Sequence, residues 1–113
     1  MSVSQGEIVE VNFQLPDGGF KPHPVIIISN NDINEYEDGF IGVMLSSSAV
    51  SDDYSFLLED KMLSKNPKRR IQVRCHLISL IPESEITGRH GNIKREYLKQ
   101  VINKIITNVF NID

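Results

Sequence analysis

The side chains of this sequence that suit acid–base or phosphate chemistry fall into three short clusters. They are Lys21 with His23, Ser46 with Ser47, and Arg74 with His76. Histidine can act as acid or base near neutral pH, Lys and Arg stabilise developing negative charge, and a serine hydroxyl can orient a phosphate. Metal-free RNA cleavage needs these groups: a base at the ribose 2′-hydroxyl, an acid at the departing 5′ oxygen and donors to the phosphate.

A simpler interpretation stays open for each cluster, and residue types alone favour it. Lys21 and His23 can face water at the start of a strand, and Ser46 can be a plain turn residue. Arg74 can pair with an acid on the same sheet, such as Glu10. The types therefore indicate a possible chemistry, and its assignment depends on whether the fold brings the clusters together.

All three clusters lie on or beside predicted β-strands. Val9–Gln14 alternates, with Val9, Val11 and Phe13 on one face, which is typical of a half-buried strand. The run 24–28 is short and β-branched, which predicts a strand buried on both faces, and the prolines before it make its start stiff and edge-like. Further strands are predicted at 40–45, with a bulge or close backbone approach at Gly42, and at 54–58, 71–77 and 78–86, the last broken at Pro82.

The strand 71–77 carries the third cluster. Its alternation predicts one inward set, Ile71, Val73, Cys75 and Leu77, and one outward set, Gln72, Arg74 and His76. Arg74 and His76 would then be neighbours on one face, while Cys75 would fill the core.

The connecting segments are polar. Residues 30–38 predict a loop or one short helical turn, residues 59–69 a hairpin arm or a mobile loop, and His90 a loop position. A closing helix is predicted over 93–110 with Asn92 as its N-cap. Its apolar stripe must be buried against the sheet or a second copy of the chain, and comprises Tyr97, Leu98, Val101, Ile102, Ile105, Ile106 and Val109. The expected architecture is mainly β with a C-terminal helix: a small, strongly bent antiparallel β-barrel.

Bulk properties set the class of protein. The 113 residues predict a single domain over 1–113, and no apolar run approaches the ~20 residues of a membrane span. The N-terminus lacks the features of a secretory signal, and a single cysteine excludes an internal disulfide and suits a reducing cytoplasm. The three histidines are scattered, so we expect no metal site. We also expect no other cofactor and no membrane partner.

The net charge of −3 hides an asymmetry between the two halves of the chain. Residues 1–60 hold one Lys or Arg and eleven Asp or Glu, whereas residues 61–113 hold eleven and four. Six of the bases lie in the segment 61–74: Lys61, Lys65, Lys68, Arg69, Arg70 and Arg74. This basic segment can engage a phosphate backbone or an acidic protein, but it can also face the acidic half of the chain or form a solvated loop.

Four stretches, taken in order, resemble the MazF/PemK (Kid) family of toxin endoribonucleases. GEIVEVNF at 6–13 resembles the family's opening strand, and HPVIIISN at 23–30 resembles its Arg-Pro-hydrophobic-Ser-Asn strand. Residues 40–47 resemble the third strand, which ends in a Thr-Ser pair, and VRC at 73–75 resembles a Val-Arg-Cys-Asp stretch of the Kid-like branch. The terminal helix matches in place and length, so the similarity covers nearly the whole chain.

The resemblance implies a Src-homology-3-like barrel with a C-terminal helix. It also implies a homodimer whose interface grooves bind single-stranded RNA and the tail of a cognate antitoxin. Family members cleave RNA without metal, leaving a 2′,3′-cyclic phosphate and a 5′-hydroxyl. By position, Arg74 corresponds to an arginine proposed as an acid, His76 to an aspartate proposed as a base, and Ser46 to a catalytic threonine. The predicted catalytic set is therefore His23, Ser46, Arg74 and His76, and the predicted RNA-binding set is Lys21, Ser47, Lys68, Arg69 and Arg70.

The main departure from the family is His23, which replaces the arginine of the Arg-Pro motif. Lys21 can supply the missing charge, and the turn at 17–19 is shorter than the family's first loop. The departures allow an active variant using histidine chemistry, an altered sequence preference or a binding-only relative. We favour activity, because each substitution keeps a group competent in acid–base or phosphate chemistry. The alternatives are a non-catalytic barrel that binds nucleic acid or protein through the basic segment, and an adaptor that dimerises through its helix.

Overall fold

The fold is a single antiparallel sheet of six strands with two helices. The computed structural model describes residues 3–14 and 16–113. The strands are β1 (Glu7–Gln14), β2 (Phe20–Ile27), β3 (Gly39–Ser46), β4 (Ser55–Leu58), β5 (Ile71–Pro82) and β6 (Ile86–Asn92). The helices are α1 (Asn31–Glu37) and α2 (Arg95–Asn108), and the strand order is β4-β5-β3-β2-β1-β6. The predicted class, mainly β with a C-terminal helix, is confirmed. None of the described helices is both long and apolar enough to cross a membrane.

The edge strands of the sheet, β4 and β6, do not pair with each other within the described residues. Instead, the segments that follow these two strands meet. Leu63 and Ile93 form an isolated antiparallel bridge, and the Ser64 amide donates to the Asn92 carbonyl at 2.9 Å. The barrel expected from the sequence is therefore an open sheet whose edges are joined outside the strands.

Both faces of the sheet carry buried side chains. On one face, here the helix face, Ile26, Leu45 and Val73 pack with the α2 residues Leu98 and Val101. On the other, the outer face, a second cluster contains Val9, Val11, Val25, Ile27, Phe40 and Met44. The prediction that the central run of β2 is buried on both sides is confirmed, whereas the prediction for Phe13 falls on a side chain outside those described.

The start of β2 is paired on one side only. Residues 20–26 of β2 pair with β1, whereas pairing with β3 covers only residues 25–27. Ile27 accepts a hydrogen bond from Gly6 on the β1 side, so alternation directs the backbones of Pro22 and Pro24 toward β3. Proline has no backbone N–H, and on the β3 side of Pro22 and Pro24 no paired strand is present to accept one. The predicted edge-like start of β2 is therefore correct on its β3 side.

The segment 30–38 forms a seven-residue helix, slightly longer than the predicted single turn. The Asn30 side chain caps it by accepting from the Ile33 amide at 3.0 Å. The helix ends at Asp38, which has left-handed backbone angles (φ 49°). Gly39 follows because a Cβ there would lie 2.6 Å from the Ile81 carbonyl oxygen.

Several predicted boundaries in the C-terminal half are wrong. Asn92 ends β6 and does not cap a helix; Lys94 occupies the N-cap of α2 without a capping side-chain bond. His90 lies in β6 and not in a loop. The strand was not predicted because Gly88 and Gly91 interrupt the apolar alternation that would have indicated it. Ile106 is exposed, so the buried stripe of α2 is narrower than predicted.

The alternation predicted for β5 holds for Val73 and Cys75, which are buried, and fails on either side of them. Gln72 is only 1% exposed, and its amide donates to the Ser48 carbonyl at 2.9 Å, which makes burial of this polar side chain possible. Leu77 is 43% exposed because β5 bulges against β3 between its Val73 and Ile78 pairs. Burial raises the pKa of the Cys75 thiol, which agrees with its predicted role as a core residue.

Gly91, within β6, packs closely against Ser64 and Lys65 at the start of the basic segment. Its φ is +87°, and a Cβ there would lie 2.5 Å from Ser64 Oγ, which accepts from the Asn92 amide. We expect Gly91→Ala to lower the free energy of unfolding by about 1–3 kcal/mol, measured by urea denaturation. Gly18 has φ +91° with nothing within 4 Å of a Cβ, so Gly18→Ala isolates the backbone strain. Equal losses in the two variants would contradict a steric contribution at Gly91.

Candidate active site

His23 and Ser46 lie on the outer face, just beyond the end of the β2–β3 pairing. His23 lies on the outer face, on the same side of β2 as Val25, and Val25 pairs with Met44. The pairing itself ends at Val25 and Met44, and His23 and Ser46 each lie two residues beyond these partners. His23 Nε2 lies 2.8 Å from the Leu45 carbonyl oxygen. In a neutral imidazole this bond assigns the proton to Nε2, because a carbonyl oxygen can only accept.

Ser46 and Ser47 lie where β3 leaves the sheet. Ser46 is half-buried, and its Oγ accepts from the Ser48 amide at 3.0 Å, so its predicted turn role is present. Ser46 also pairs with Gln72 of β5. Ser47 is exposed. The Ser46 hydroxyl hydrogen is not used in that bond and can still be donated to a phosphate.

Arg74 is held firmly in place. It alternates with the buried Val73 and Cys75, so it lies on the outer face, and its side chain is 16% exposed. Its Nη1 and Nη2 donate to the two carboxylate oxygens of Asp52 at 3.2 and 3.1 Å, and Nη1 also donates to Ser55 Oγ at 2.6 Å. The alternative partner considered from the sequence, Glu10, is wrong: Glu10 Oε2 lies 3.4 Å from His90 Nε2.

Helix α2 supports the loop that holds Arg74. Lys104 Nζ donates to the Ser55 carbonyl and Asn108 Nδ2 to the Asp53 carbonyl, both at 2.6 Å. The backbone beside Asp52 and Ser55 is thereby tied to a rigid element. The guanidinium position is consequently set by the fold and does not depend on Asp52 alone.

The pairing with Arg74 changes the acid titration of Asp52. Hydrogen bonding from Arg74 is the main cause that lowers the pKa of Asp52 to about 2 from 3.8. A lowered carboxyl pKa stabilises the fold above the unfolded-state pKa and is lost as the pH falls through the folded-state value. We expect the free energy of unfolding to fall between about pH 4 and pH 2, and to fall less steeply in Asp52→Asn. Asp53→Asn removes a carboxylate at the adjacent position and should keep the wild-type dependence of the unfolding free energy on pH. The same wild-type dependence in Asp52→Asn would contradict the role of the Asp52–Arg74 pair.

His76 stacks against a tyrosine that the sequence analysis did not assign to the site. The Tyr54 and His76 ring centroids are 5.0 Å apart at 48°, and Tyr54 is 39% exposed. The Tyr54 carbonyl accepts from the Cys75 amide, which fixes the ring beside β5. Tyr54 was predicted only as the start of a strand, because the sequence does not reveal which strand it would meet. Exposed aromatic rings of this kind can stack on nucleobases.

The predicted catalytic residues thus lie on three adjacent strands. His23 lies on β2 and Arg74 on β5, with β3 between them; Ser46 of β3 pairs with Gln72, two residues before Arg74. The Arg74 guanidinium is held by Asp52 and by Ser55, the residue of β4 that pairs with Arg74. Among the described residues, no group of three His, Cys, Asp or Glu is arranged to hold a metal ion.

The predicted RNA-binding residues are divided between two surfaces. Lys21 is exposed on the outer face, two residues before His23 and on the same side of β2. Lys68 and Arg69 line a cavity on the helix face, and Arg70 is exposed next to them. The segment 59–69 is not wholly a mobile arm, because Met62 and Leu63 within it are buried in the core.

The sequence profile described as a PemK-like, MazF-like toxin of type II toxin–antitoxin systems matches residues 4–109. The chain belongs to this family. No curated protein matches the sequence of this family member.

Several solved structures superpose on this PemK/MazF-like chain over almost its full length. An endoribonuclease from Mycobacterial species, in complex with its cognate antitoxin, superposes with a TM-score of 0.79 at 14% identity, covering 99% of both chains. MazE–MazF from Deinococcus radiodurans gives 0.79 at 15% identity, over 99% of this chain and 100% of that one. The Mycobacterium tuberculosis toxin MazF-mt6 gives 0.68 at 16% identity, over 93% and 98%. At such identities, the likeness establishes the fold.

Proposed function

We propose that this toxin-family member is a metal-independent endoribonuclease that cleaves single-stranded RNA to 2′,3′-cyclic phosphate and 5′-hydroxyl ends. The observation that carries the proposal is the fixed Arg74 guanidinium on the same face as Ser46 and His23. A structural neighbour that covers 99% of this chain is described as an endoribonuclease with its cognate antitoxin, which supports the same activity here. The ordered outer-face cluster and the family together favour catalysis over simple binding.

The contacts of Arg74 favour a charge-stabilising role over the acid role that the family resemblance implies. A guanidinium paired with a carboxylate stays ionised and is a poor proton donor. Its bonds to Asp52 and Ser55 use three of its five N–H groups, so two can still bind the non-bridging oxygens of a phosphate. Arg74 thus takes the charge that develops on the phosphorane.

The two histidines then provide the acid and the base. His23 is anchored through Nε2 on the Leu45 carbonyl, and we assign it the role of the base that takes the 2′-hydroxyl proton. His76, held against Tyr54, protonates the 5′ oxygen that leaves when the 2′ oxygen attacks phosphorus. Ser46 orients the phosphate between them, and Lys21 and Ser47 bind the flanking backbone. The bond from phosphorus to the 5′ oxygen breaks as the cyclic phosphate forms.

We also propose a homodimer and a cognate antitoxin as partners. Large apolar side chains remain exposed in the described single chain, among them Leu77 and Leu80 of β5 and Ile106 of α2. Large exposed apolar side chains are candidates for contact with a partner chain. The neighbours described as MazE–MazF and as an endoribonuclease with its antitoxin support a protein partner for this chain.

The deciding experiment incubates the purified protein with a long single-stranded RNA in EDTA. Discrete fragments with 5′-hydroxyl and cyclic phosphate ends support the proposal. Intact RNA from folded protein, with binding that falls steeply with salt, supports the alternative of a non-catalytic module acting through the basic segment. That alternative has its own observation: Lys65, Lys68 and Arg69 make no ion pair with another described residue.

A further inference from the structure

A cavity of about 330 Å³ opens on the helix face between β1, β2 and the basic segment. Its floor is the apolar end of the core, formed by Ile8, Leu45, Leu58, Leu63 and Ile71. Pro22, Pro24 and Pro67 add rigid apolar walls. A site of this size with apolar walls suits one flat ring system.

The rim of the cavity carries charges of both signs. Glu10 contributes a carboxylate, placed beside His90, and Lys65, Lys68 and Arg69 contribute cations. These three cations are exposed and make no ion pair with another described residue. A matching ligand has a flat body, N–H donors for the carboxylate and negative charge for the cations. An acidic peptide would satisfy the cations but meet repulsion at Glu10, so a nucleotide fits better.

We propose that this cavity recognises a guanine base of the RNA substrate, with Glu10 as the specificity-determining residue. Guanine presents two adjacent donors, N1–H and the N2 amino group, which match the two oxygens of one carboxylate. Uracil presents one donor between two acceptors, and adenine and cytosine present one amino group. Lys68 and Arg69 bind the neighbouring phosphates without regard to sequence. This inference rests on the proposed function, since the base belongs to the RNA that is cleaved.

The cavity lies close to His23. Pro22 and Pro24, which line it, flank His23 in the chain, and Leu45, which also lines it, supplies the carbonyl that holds His23 Nε2. The cavity and the imidazole therefore lie on opposite faces of the same short stretch of β2, where β3 pairing has ended. RNA passing over this one-sided edge can place a base in the cavity and the adjoining phosphate at His23.

The test measures binding of 2′-O-methyl oligouridines, which cannot be cleaved, by fluorescence anisotropy. Each carries one central guanine, inosine, adenine or cytosine. We expect the guanine oligomer to bind about tenfold tighter than oligouridine, and inosine, which lacks the N2 amino group, to lose most of that gain. Glu10→Gln should abolish the preference for guanine, whereas Glu96→Gln, the same charge change on α2, should keep it. Lys68→Ala should weaken all oligomers alike.

Equal affinities for the four oligomers, or an unchanged preference in Glu10→Gln, would overturn the inference. A cavity that takes a glutamate-rich peptide in competition with every oligomer alike would overturn it too. Cleavage of unmodified RNA separates the two proposals. If wild type and Glu10→Gln cleave at the same sites and these sites lack guanine, the proposed nuclease activity is supported and the guanine site is rejected. RNA that is bound with guanine preference but never cleaved leaves the guanine site standing and removes the nuclease.

Discussion

Arg74→Ala should reduce the rate of RNA cleavage by about 100- to 1,000-fold, the cost of losing one donor to a developing oxyanion. The side chain is fixed by Asp52 and Ser55, so in the proposed mechanism it binds the phosphate without reorganising. Its loss should lower kcat more than it raises KM, because the charge it stabilises grows in the transition state. Cleavage of a fluorescent RNA under single-turnover conditions, at saturating and at subsaturating enzyme concentrations, separates the effect on the rate constant from the effect on substrate binding.

Two variants make this result specific to the guanidinium. Arg74→Lys keeps the charge but loses the paired geometry with Asp52, and should recover only part of the rate. Asp52→Asn leaves Arg74 charged with one fewer anionic competitor, and we expect it to bind RNA more tightly. Thermal melts check that each variant folds, since Arg74→Ala leaves the partly exposed Asp52 without its partner. Full activity in folded Arg74→Ala would remove Arg74 from the mechanism.

The sequence predicted the parts of the fold that depend on local patterns. The β-branched run of β2 and the alternation of Val73 and Cys75 reported burial directly. Errors arose where a long-range contact decided the outcome. Gln72 is buried because Ser48, 24 residues away, accepts its amide hydrogen, and no local pattern contains that information. His90 was missed as a strand residue because Gly91 beside it serves a close contact with Ser64 instead of the alternation of a strand.

The same distinction applies to the site. The types of His23, Ser46 and Arg74 suggested phosphate chemistry, and the family resemblance suggested where they would meet. The partner of Arg74 was not predictable, because Asp52 lies in a loop whose position is set by Lys104 and α2. Tyr54 was missed for a related reason: its contact with His76 depends on β4 pairing with β5, a register that no residue near Tyr54 encodes.

His23→Ala should lower the cleavage rate by about 100- to 10,000-fold, the range for loss of a positioned acid or base. The variant also loses the bond to the Leu45 carbonyl, so alanine alone does not separate chemistry from structure. His23→Gln does, because its amide can still donate to that carbonyl but cannot carry a proton through the reaction. Equally slow His23→Ala and His23→Gln, both folded, therefore assign the loss to proton transfer. A fast His23→Gln would show that the ring only supports the end of β2, and a fast His23→Arg would show that the family's usual cation can replace the imidazole.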